Sequence, residues 1–240
     1  MSCPIENWRV LYSGYYLPEE GYFCKRTRQG ALRANLFGID RHYITQQNCW
    51  THLMPFLPTS IPDLLIFEPH VYSDERGYFF ESYNESVFLQ AGLDIRWVQD
   101  NQSSSQYGVI RGFHFQAPPH AQTKLIRVLA GRILDVVIDI RKGSPAFGQS
   151  FSIELSAANK KQLLVPKGFA HGFSVLSEQA EVLYKCDSLY HKPSEQGILY
   201  ADPDLAIDWG IPANRALVSE KDKVLPLLKE LHSPFDYVAK

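Results

Sequence analysis

The sequence ILDVVIDI, residues 133–140, has the alternating pattern of a β-strand with two different faces. One face carries the branched apolar side chains Leu134, Val136, Ile138 and Ile140. Asp135 and Asp139 fall on the other face, because successive side chains of a strand point in opposite directions. This segment therefore predicts a β-strand.

Further short apolar or aromatic runs follow toward the C-terminus, at residues 163–165, 173–176 and 182–184. Turn-forming residues separate the runs, at Gly131 and at the segments 142–145, 166–168 and 192–194. Many short strands at nearly regular spacing favour an all-β barrel or jelly roll. Helical patterns are few: residues 85–91 predict one short helix, and residues 221–231 predict a second with Pro226 in its first turn.

The composition of the 240 residues, 45% apolar and 21% charged, is that of a globular protein. With 24 basic and 26 acidic residues the net charge is −2, which gives no global reason to bind nucleic acid or an anionic membrane. No apolar run approaches the ~18 residues of a membrane span, and the first ten residues lack the pattern of a signal peptide. Four cysteines without a CxxC pair predict reduced thiols, so we expect a cytoplasmic protein.

Residues 1–53 contain no repeat and no recognisable motif, and the organised pattern begins after Met54, the only internal methionine. Two interpretations remain open. Met54 is the natural start and the preceding residues are non-native or poorly ordered, or these residues form an extension that packs on the domain or on a partner. We therefore divide the chain into an N-terminal extension, residues 1–53, and one domain, residues 54–240.

Two histidine motifs, GVIRGFHFQ (108–116) and PKGFAHG (166–172), resemble the two-part pattern of cupin jelly rolls. The resemblance implies a cupin-type jelly-roll β-barrel with a few short helices. Metal-binding cupins continue the first motif as HxH with a nearby Glu, but here Gln116 stands at the second His and no carboxylate lies between Asp100 and Asp135. The region is cationic instead, which suits a phosphate better than a metal ion; its cations are Arg111, Lys124, Arg127 and Arg132.

Five segments, in this order, resemble the dTDP-4-dehydrorhamnose 3,5-epimerase family: DERGYFFESYN (74–84), VQDNQSSSQYGVIRGFHFQ (98–116), KLIRVLAGRILDVVIDIRKGSPAFG (124–148), LLVPKGFAHGFSVLSEQAEVLYK (163–185) and SEKDK (219–223). The resemblance spans about residues 61–232. It implies conversion of dTDP-4-dehydro-6-deoxy-D-glucose into dTDP-4-dehydro-L-rhamnose, on the route to bacterial rhamnose and O-antigen sugars. It implies no cofactor and no metal.

The C4 ketone of such a substrate acidifies the protons on carbons 3 and 5, so epimerisation needs a base, an acid and a cation beside the enolate oxygen. The resemblance assigns the base to His114, the acid to Tyr184, the enolate-stabilising cation to Lys124 and the carboxylate that orients the base to Asp222. These types suit the roles, because imidazole exchanges protons near neutral pH and a phenol stays protonated there.

The resemblance also assigns substrate-binding residues. Arg111 and Lys221 are expected at the diphosphate, with Lys223 as an alternative, and Tyr190 is expected to stack on the thymine. The remaining contacts to sugar and nucleotide are assigned to Arg76, Glu81, Gln99, Asp100, Asn101, His171 and Glu195. In this family part of the segment with Arg76 and Glu81 reaches the partner subunit, so a homodimer with exchanged strands or arms is expected.

Three other functions are alternatives at this point. The nearest is a mono-epimerase or ketoisomerase acting on a related dTDP-4-keto-6-deoxy sugar. A metal-dependent cupin oxygenase or isomerase is disfavoured because the Glu ligand has no candidate. A non-catalytic sugar-nucleotide-binding module is disfavoured because all four reactive residue types are present.

Overall fold

The computed structural model describes residues 23–26, 32–35 and 55–239, and the chain divides into two units, Met1–Pro55 and Phe56–Lys240. In the first unit, strand β1 (Phe23–Arg26) pairs with β2 (Leu32–Asn35) in antiparallel orientation. Apart from these two strands, the segment 1–53 and Met54 lie outside the described residues, and so do our predictions for them. The division into extension and domain stays a prediction.

The strands of the second unit are, in chain order, β3 (Phe56–Pro58), β4 (Leu65–Phe67), β5 (Tyr72–Asp74), β6 (Gly77–Phe79), β7 (Gln99–Gln106), β8 (Val109–Gln116), β9 (Lys124–Ala130), β10 (Arg132–Asp139), β11 (Ser150–Ser156), β12 (Gln162–Val165), β13 (Phe169–Val175), β14 (Gln179–Cys186), β15 (Glu195–Gly197) and β16 (Leu217–Val218). One sheet has the order β11-β10-β13-β8-β15, with β16 parallel to β8. The other has the order β3-β4-β12-β9-β14-β7, and β5 and β6 form a separate hairpin.

Strand β10 lies at the centre of the packing, because both of its faces are buried. Ile133 and Val137 belong to a core cluster that also contains residues of the opposite sheet, so this face lies between the sheets. Val136 and Ile138 face the other way, against a second cluster that contains residues of the C-terminal segment such as Trp209. The apolar residues of the segment 133–140 therefore stabilise the fold from two sides.

The predicted helix near residue 85 is confirmed as α1 (Glu85–Gln90), which begins after Asn84, whose side chain accepts a hydrogen bond from the backbone N of Ser86 at 3.0 Å. The single helix predicted over residues 221–231 is wrong. Helix α2 spans only Glu220–Lys223, and Leu228–Glu230 is a separate 3₁₀ turn. The interruption contains Pro226, which lacks an N–H and restricts the residue before it. Two more 3₁₀ turns span Lys192–Ser194 and Ala213–Arg215.

Two facing sheets with an apolar core between them, and only a few short helices, confirm the predicted all-β, cupin-type jelly roll. The predicted strands are confirmed as β10, β12, β13 and β14, with bounds that differ by a few residues. Within the described residues, no helix is both long enough and apolar enough to span a membrane.

Candidate active site

A cavity of about 790 Å³ is lined by residues of both sheets. Strand β8 contributes His114 and β13 contributes His171, while Lys124 and Tyr184 come from β9 and β14 of the opposite sheet. Ten of the fourteen predicted site residues line it: Asn101, Arg111, His114, Lys124, His171, Tyr184, Tyr190, Glu195, Lys221 and Asp222. The jelly roll thus brings residues that are far apart in the sequence into one chamber.

His114 and Asp222 are in direct contact, with Nε2 of the imidazole 2.7 Å from Oδ1 of the carboxylate. Asp222 is buried on α2, where its backbone N donates to the side chain of Ser219, the residue before the helix, at 3.2 Å. Burial disfavours the ionised carboxyl, but His114 and the hydrogen bonds from Gly112 and Ser219 together outweigh this effect and hold the pKa of Asp222 below its usual value. Because a carboxylate only accepts, Nε2 carries the hydrogen and Nδ1 is left free to take a proton.

His171 forms a second imidazole–carboxylate pair, which the sequence analysis missed. Its Nε2 lies 2.9 Å from Oδ2 and 3.1 Å from Oδ1 of Asp135, and both side chains are buried. The pairing of β13 with β8 places His171 directly opposite His114. Asp135 could have been found from its position in an otherwise apolar strand, because a buried carboxylate requires a partner. Asp139, on the same strand, is satisfied differently, by Arg141 at 2.7 Å.

The donor set of the cavity differs from that of a metal site. Each of the two cavity histidines is bound by its own carboxylate, and Gln116 bonds to backbone groups of neighbouring loops. Across residues 55–239, no group of three or more His, Cys, Asp or Glu side chains is arranged to hold a metal ion.

Tyr184 and Lys124 contribute a phenol and an ammonium group to the cavity. Burial raises the pKa of Tyr184, although the hydroxyl of Ser103, 3.3 Å from the phenol oxygen, opposes this rise. Tyr184 therefore stays protonated at neutral pH. Burial lowers the pKa of Lys124, while nearby acidic groups oppose the effect. A cation that is partly removed from water interacts strongly with charge that develops beside it.

The glycine between Arg111 and His114 is needed for the close approach of two strands. Gly112 has a φ of +117°, and a Cβ atom on it would lie 2.5 Å from Cα of Gly172. The β8–β13 register is irregular at this point. A side chain at position 112 would therefore move the strand that carries His114. This steric requirement explains the glycine in the RGFH motif.

Charged groups join the predicted binding residues at the cavity mouth. Nζ of Lys221 lies 2.6 Å from Oε1 of Glu195, and the phenol of Tyr190 donates to Oε2 of the same carboxylate at 3.0 Å. Burial disfavours the ionised Glu195, but Lys221 and Tyr190 outweigh it and lower the pKa of Glu195. Nε of Arg111 donates to the hydroxyl of Ser105 at 3.1 Å. The mouth therefore carries cations next to an exposed aromatic ring.

Two predicted residues lie beside the cavity without lining it. The side-chain oxygen of Gln99 accepts a hydrogen bond from the backbone N of Tyr190 at 2.9 Å, so Gln99 contacts the cavity mouth indirectly. Asp100 pairs with Lys185 at 2.9 Å on the exposed side of the sheet. The structure thus gives Asp100 a surface ion pair rather than a place in this cavity.

Arg76 and Glu81 also lie outside the cavity lining. Arg76, in the turn of the β5–β6 hairpin, is exposed and pairs with Asp74 at 2.5 Å. Glu81 accepts a hydrogen bond from the side chain of Asn84 at 3.0 Å. Neither residue is brought to the cavity of its own chain.

Comparison with known proteins agrees with the family resemblance of the motifs. The family model described as dTDP-4-dehydrorhamnose 3,5-epimerase matches residues 58–230. A dTDP-4-dehydrorhamnose 3,5-epimerase of Shigella flexneri is 51% identical over 170 residues, which are 70% of this chain and 93% of the relative.

Solved structures with the same fold include a dTDP-6-deoxy-D-glucose-3,5-epimerase of Legionella pneumophila in complex with dTDP-4-keto-L-rhamnose, at 46% identity and a TM-score of 0.73, with coverage of 77% of this chain and 98% of that one. A 3'-monoepimerase of Streptomyces bikiniensis in complex with dTDP-quinovose is 33% identical, with a TM-score of 0.67 and coverage of 72% and 87%. Since the family model covers most of the chain and the relatives are matched over nearly their full length, the chain belongs to the dTDP-4-dehydrorhamnose 3,5-epimerase family.

Proposed function

We propose that this protein epimerises dTDP-4-dehydro-6-deoxy-D-glucose at carbons 3 and 5, giving dTDP-4-dehydro-L-rhamnose in dTDP-rhamnose biosynthesis. The observation that carries the proposal is the His114–Asp222 contact of 2.7 Å in a cavity that Tyr184 and Lys124 also line. These groups supply a base, an acid and a cation, which are the three elements that proton transfer beside a ketone requires.

The first half of each epimerisation is removal of a proton from carbon. Nδ1 of His114 takes the proton, the electrons of the C–H bond form the carbon–carbon double bond of the enolate, and the negative charge moves to the oxygen on carbon 4. The ionised Asp222 stabilises the imidazolium that forms. Lys124 stabilises the enolate oxygen, since preorganised cations in a partly dry site are effective there.

The second half is return of a proton to the opposite face. Tyr184 lies on the sheet that faces the one carrying His114, so its phenol donates to the enolate carbon from the other side. The resulting imidazolium and phenolate regain their resting protonation by exchange with water, after which the other carbon can react. No redox step occurs, because the substrate and the product have the same oxidation state.

Incubation with the 4-keto sugar nucleotide in deuterated water tests the reaction directly. NMR is expected to show deuterium at both carbon 3 and carbon 5 and formation of the L-rhamnose configuration. Deuterium at only one carbon would support a mono-epimerase instead, and no exchange would contradict the epimerase assignment.

Substitution of Asp222 by Asn tests the role of the carboxylate in the pair with His114. We expect Asp222→Asn to lower kcat by about 10²–10⁴-fold, because the amide cannot stabilise an imidazolium and favours the wrong tautomer. The matched control is Asp204→Asn, which removes an exposed carboxylate that pairs with Lys229 at 3.4 Å. Equal activity of Asp222→Asn and the control would contradict the role.

The same variant has an expected effect on acid stability. The pKa of Asp222 is lower in the folded protein than in the unfolded chain, so its ionised form stabilises the fold above about pH 4 and loses this effect as the pH falls further. The difference in free energy of unfolding between the wild type and Asp222→Asn should therefore shrink as the pH falls below about 4. Denaturant unfolding across that range measures it, and a constant difference would contradict the expectation.

We also propose that the active form is a homodimer in which Arg76 and Glu81 serve the cavity of the partner subunit. Three observations support this. Neither residue lines the cavity of its own chain, the β5–β6 hairpin exposes Tyr78 and Phe79 at 61% and 68%, and β7 is the terminal strand of its sheet. Exposed aromatic surface and an open strand edge are features of interfaces.

We also propose a cytoplasmic location, and the buried free thiol of Cys186 is consistent with it.

Mixed dimers distinguish binding across the interface from binding within one chain. We expect Arg76→Ala to raise KM about tenfold, because Arg contacts to nucleotide phosphates or base are lost. Mixing Arg76→Ala subunits with inactive His114→Ala subunits should restore wild-type KM, because one site of each mixed dimer then has both residues intact. Light scattering gives the oligomeric state, and failure to restore KM in confirmed mixed dimers would contradict the arrangement.

A further inference from the structure

The backbone of the segment that carries Tyr190 is held by glutamine side chains. We call residues 187–191, between β14 and the following 3₁₀ turn, the Tyr190 loop. Three glutamines contact it, from β7, from β8 and from the segment before β9. The bonds run from Gln122 Nε2 to Ser188 O (2.7 Å), from Gln116 Nε2 to Leu189 O (3.2 Å), from Tyr190 N to Gln99 Oε1 (2.9 Å) and from His191 N to Gln116 Oε1 (2.6 Å).

Gln116 has the central place in this arrangement. It is 4% exposed, and its Nε2 also donates to the carbonyl of His120 at 2.7 Å. The two hydrogens and the oxygen of one amide thus join the segment after β8 to the Tyr190 loop. The imidazoles of His120 and His191 stack at the same junction, with ring centres 3.8 Å apart. A histidine at position 116, as in the HxH pattern of metal-binding cupins, has only two ring nitrogens and could not make all three hydrogen bonds of the Gln116 amide.

We propose that Gln116 is a positioning residue for nucleotide binding, which acts by fixing the Tyr190 loop at the cavity mouth. The inference rests on the proposed function and on the role that the family resemblance assigns to Tyr190, which is to stack on the base. Tyr190 is 52% exposed, so packing holds its side chain weakly, and the position of the ring depends on its backbone and on the bond to Glu195. The backbone of the neighbouring residues on both sides is bound by Gln116.

The expected effect is on affinity for the nucleotide and not on proton transfer. Loss of the amide leaves buried backbone donors and acceptors unpaired, so the loop is expected to shift until water reaches them. Stacking of a base on an aromatic ring is worth roughly a factor of 5 to 150 in affinity, and part of that factor is lost when the ring is displaced. We therefore expect Gln116→Leu to raise KM about tenfold while kcat changes less than about twofold.

Two probes separate a displaced loop from a general loss of structure. Calorimetry should give an affinity for dTDP that is about tenfold weaker in Gln116→Leu, whereas inorganic pyrophosphate, which depends on Arg111 and Lys221, binds as in the wild type. The matched control is Gln162→Leu, since Gln162 is 2% exposed and donates to the carbonyl of Ser82 at 2.8 Å, outside the cavity lining. This control should leave both affinities unchanged. An equal loss of dTDP and pyrophosphate affinity in Gln116→Leu would overturn the proposal.

A double-mutant cycle tests whether Gln116 acts through Tyr190. In a Tyr190→Ala background, Gln116→Leu should weaken dTDP binding by less than about twofold, because the ring it positions is gone. A full additional tenfold loss would overturn the proposal. If Gln116→Leu does not fold, Gln122→Leu removes a single bond to the loop and should weaken dTDP about threefold with pyrophosphate unchanged. Absence of dTDP binding in the wild type would contradict the proposed function itself, whereas unchanged dTDP affinity in the variants overturns only this inference.

Discussion

His114→Ala should abolish deuterium uptake from solvent at both carbons and lower kcat by about 10²–10⁴-fold. The reason is that carbons 3 and 5 flank one ketone, and both protons are assigned to the same base. Removal of the imidazole also leaves the carboxylate of Asp222 without its partner at 2.7 Å. NMR in deuterated water measures uptake at each carbon, and a coupled assay measures kcat.

The control for this variant is a histidine elsewhere on the protein. His232 is exposed and does not line the cavity, so His232→Ala should keep full activity. The affinity of His114→Ala for dTDP should remain near the wild-type value, because the nucleotide is expected to bind at the mouth. Full turnover by His114→Ala would contradict the assignment of His114 as the base. Exchange retained at only one carbon would show that a second base acts at that carbon.

The β architecture could be predicted because its signals are local. The alternation in residues 133–140 and the turn residues around it predict strands without knowledge of their neighbours, and β10 follows that pattern. Which face of β10 meets the opposite sheet and which meets the C-terminal segment could not be predicted. Asp135 and Asp139 mark one face, but both faces carry branched apolar residues, so the pattern does not show which neighbour each face meets.

The helix predicted over residues 221–231 is wrong for a similar reason, because its outcome also depends on contacts with distant parts of the chain. The apolar spacing of Val224, Leu227, Leu228 and Leu231 predicts a helix. In the structure, Leu228 lies in a 3₁₀ turn and Leu231 directly follows it, and both pack against the second apolar cluster, which contains Trp209. The carbonyl of Pro226 accepts a hydrogen bond from Leu199 instead of continuing a helix. Tertiary contacts thus replaced the local preference, which single-sequence periodicity does not report.

The candidate site was accessible from the sequence only through the family motifs. His114 and Asp222 are separated by more than a hundred residues, and neither residue type predicts the contact between them. The pair of His171 and Asp135 does not follow from the motifs, because Asp135 lies on β10, the strand next to the one that carries His171. The role of Gln116 depends on bonds to two loops, and such bonds follow from the packing of the folded chain.

Tyr184→Phe should separate the two halves of the reaction. Proton removal by His114 does not require the phenol, so exchange with solvent should persist at a reduced rate. Product formation should fall by about 10²–10⁴-fold, because no donor remains on the opposite face. Burial raises the pKa of Tyr184, which keeps the wild-type phenol protonated and able to donate across the neutral pH range. NMR in deuterated water reports exchange and product from the same sample.

The matched control is Tyr83→Phe, which removes the hydroxyl of a tyrosine that packs on Phe88 outside the cavity lining, with ring centres 4.9 Å apart. It should retain wild-type turnover. In Tyr184→Phe, loss of the weak hydrogen bond to Ser103 is expected to cost about 1 kcal/mol of stability. Tyr184→Phe should therefore still fold, and a thermal unfolding curve verifies this. Equal loss of exchange and product in Tyr184→Phe would show that the phenol takes part in proton removal, and unchanged product formation would assign the acid to another group.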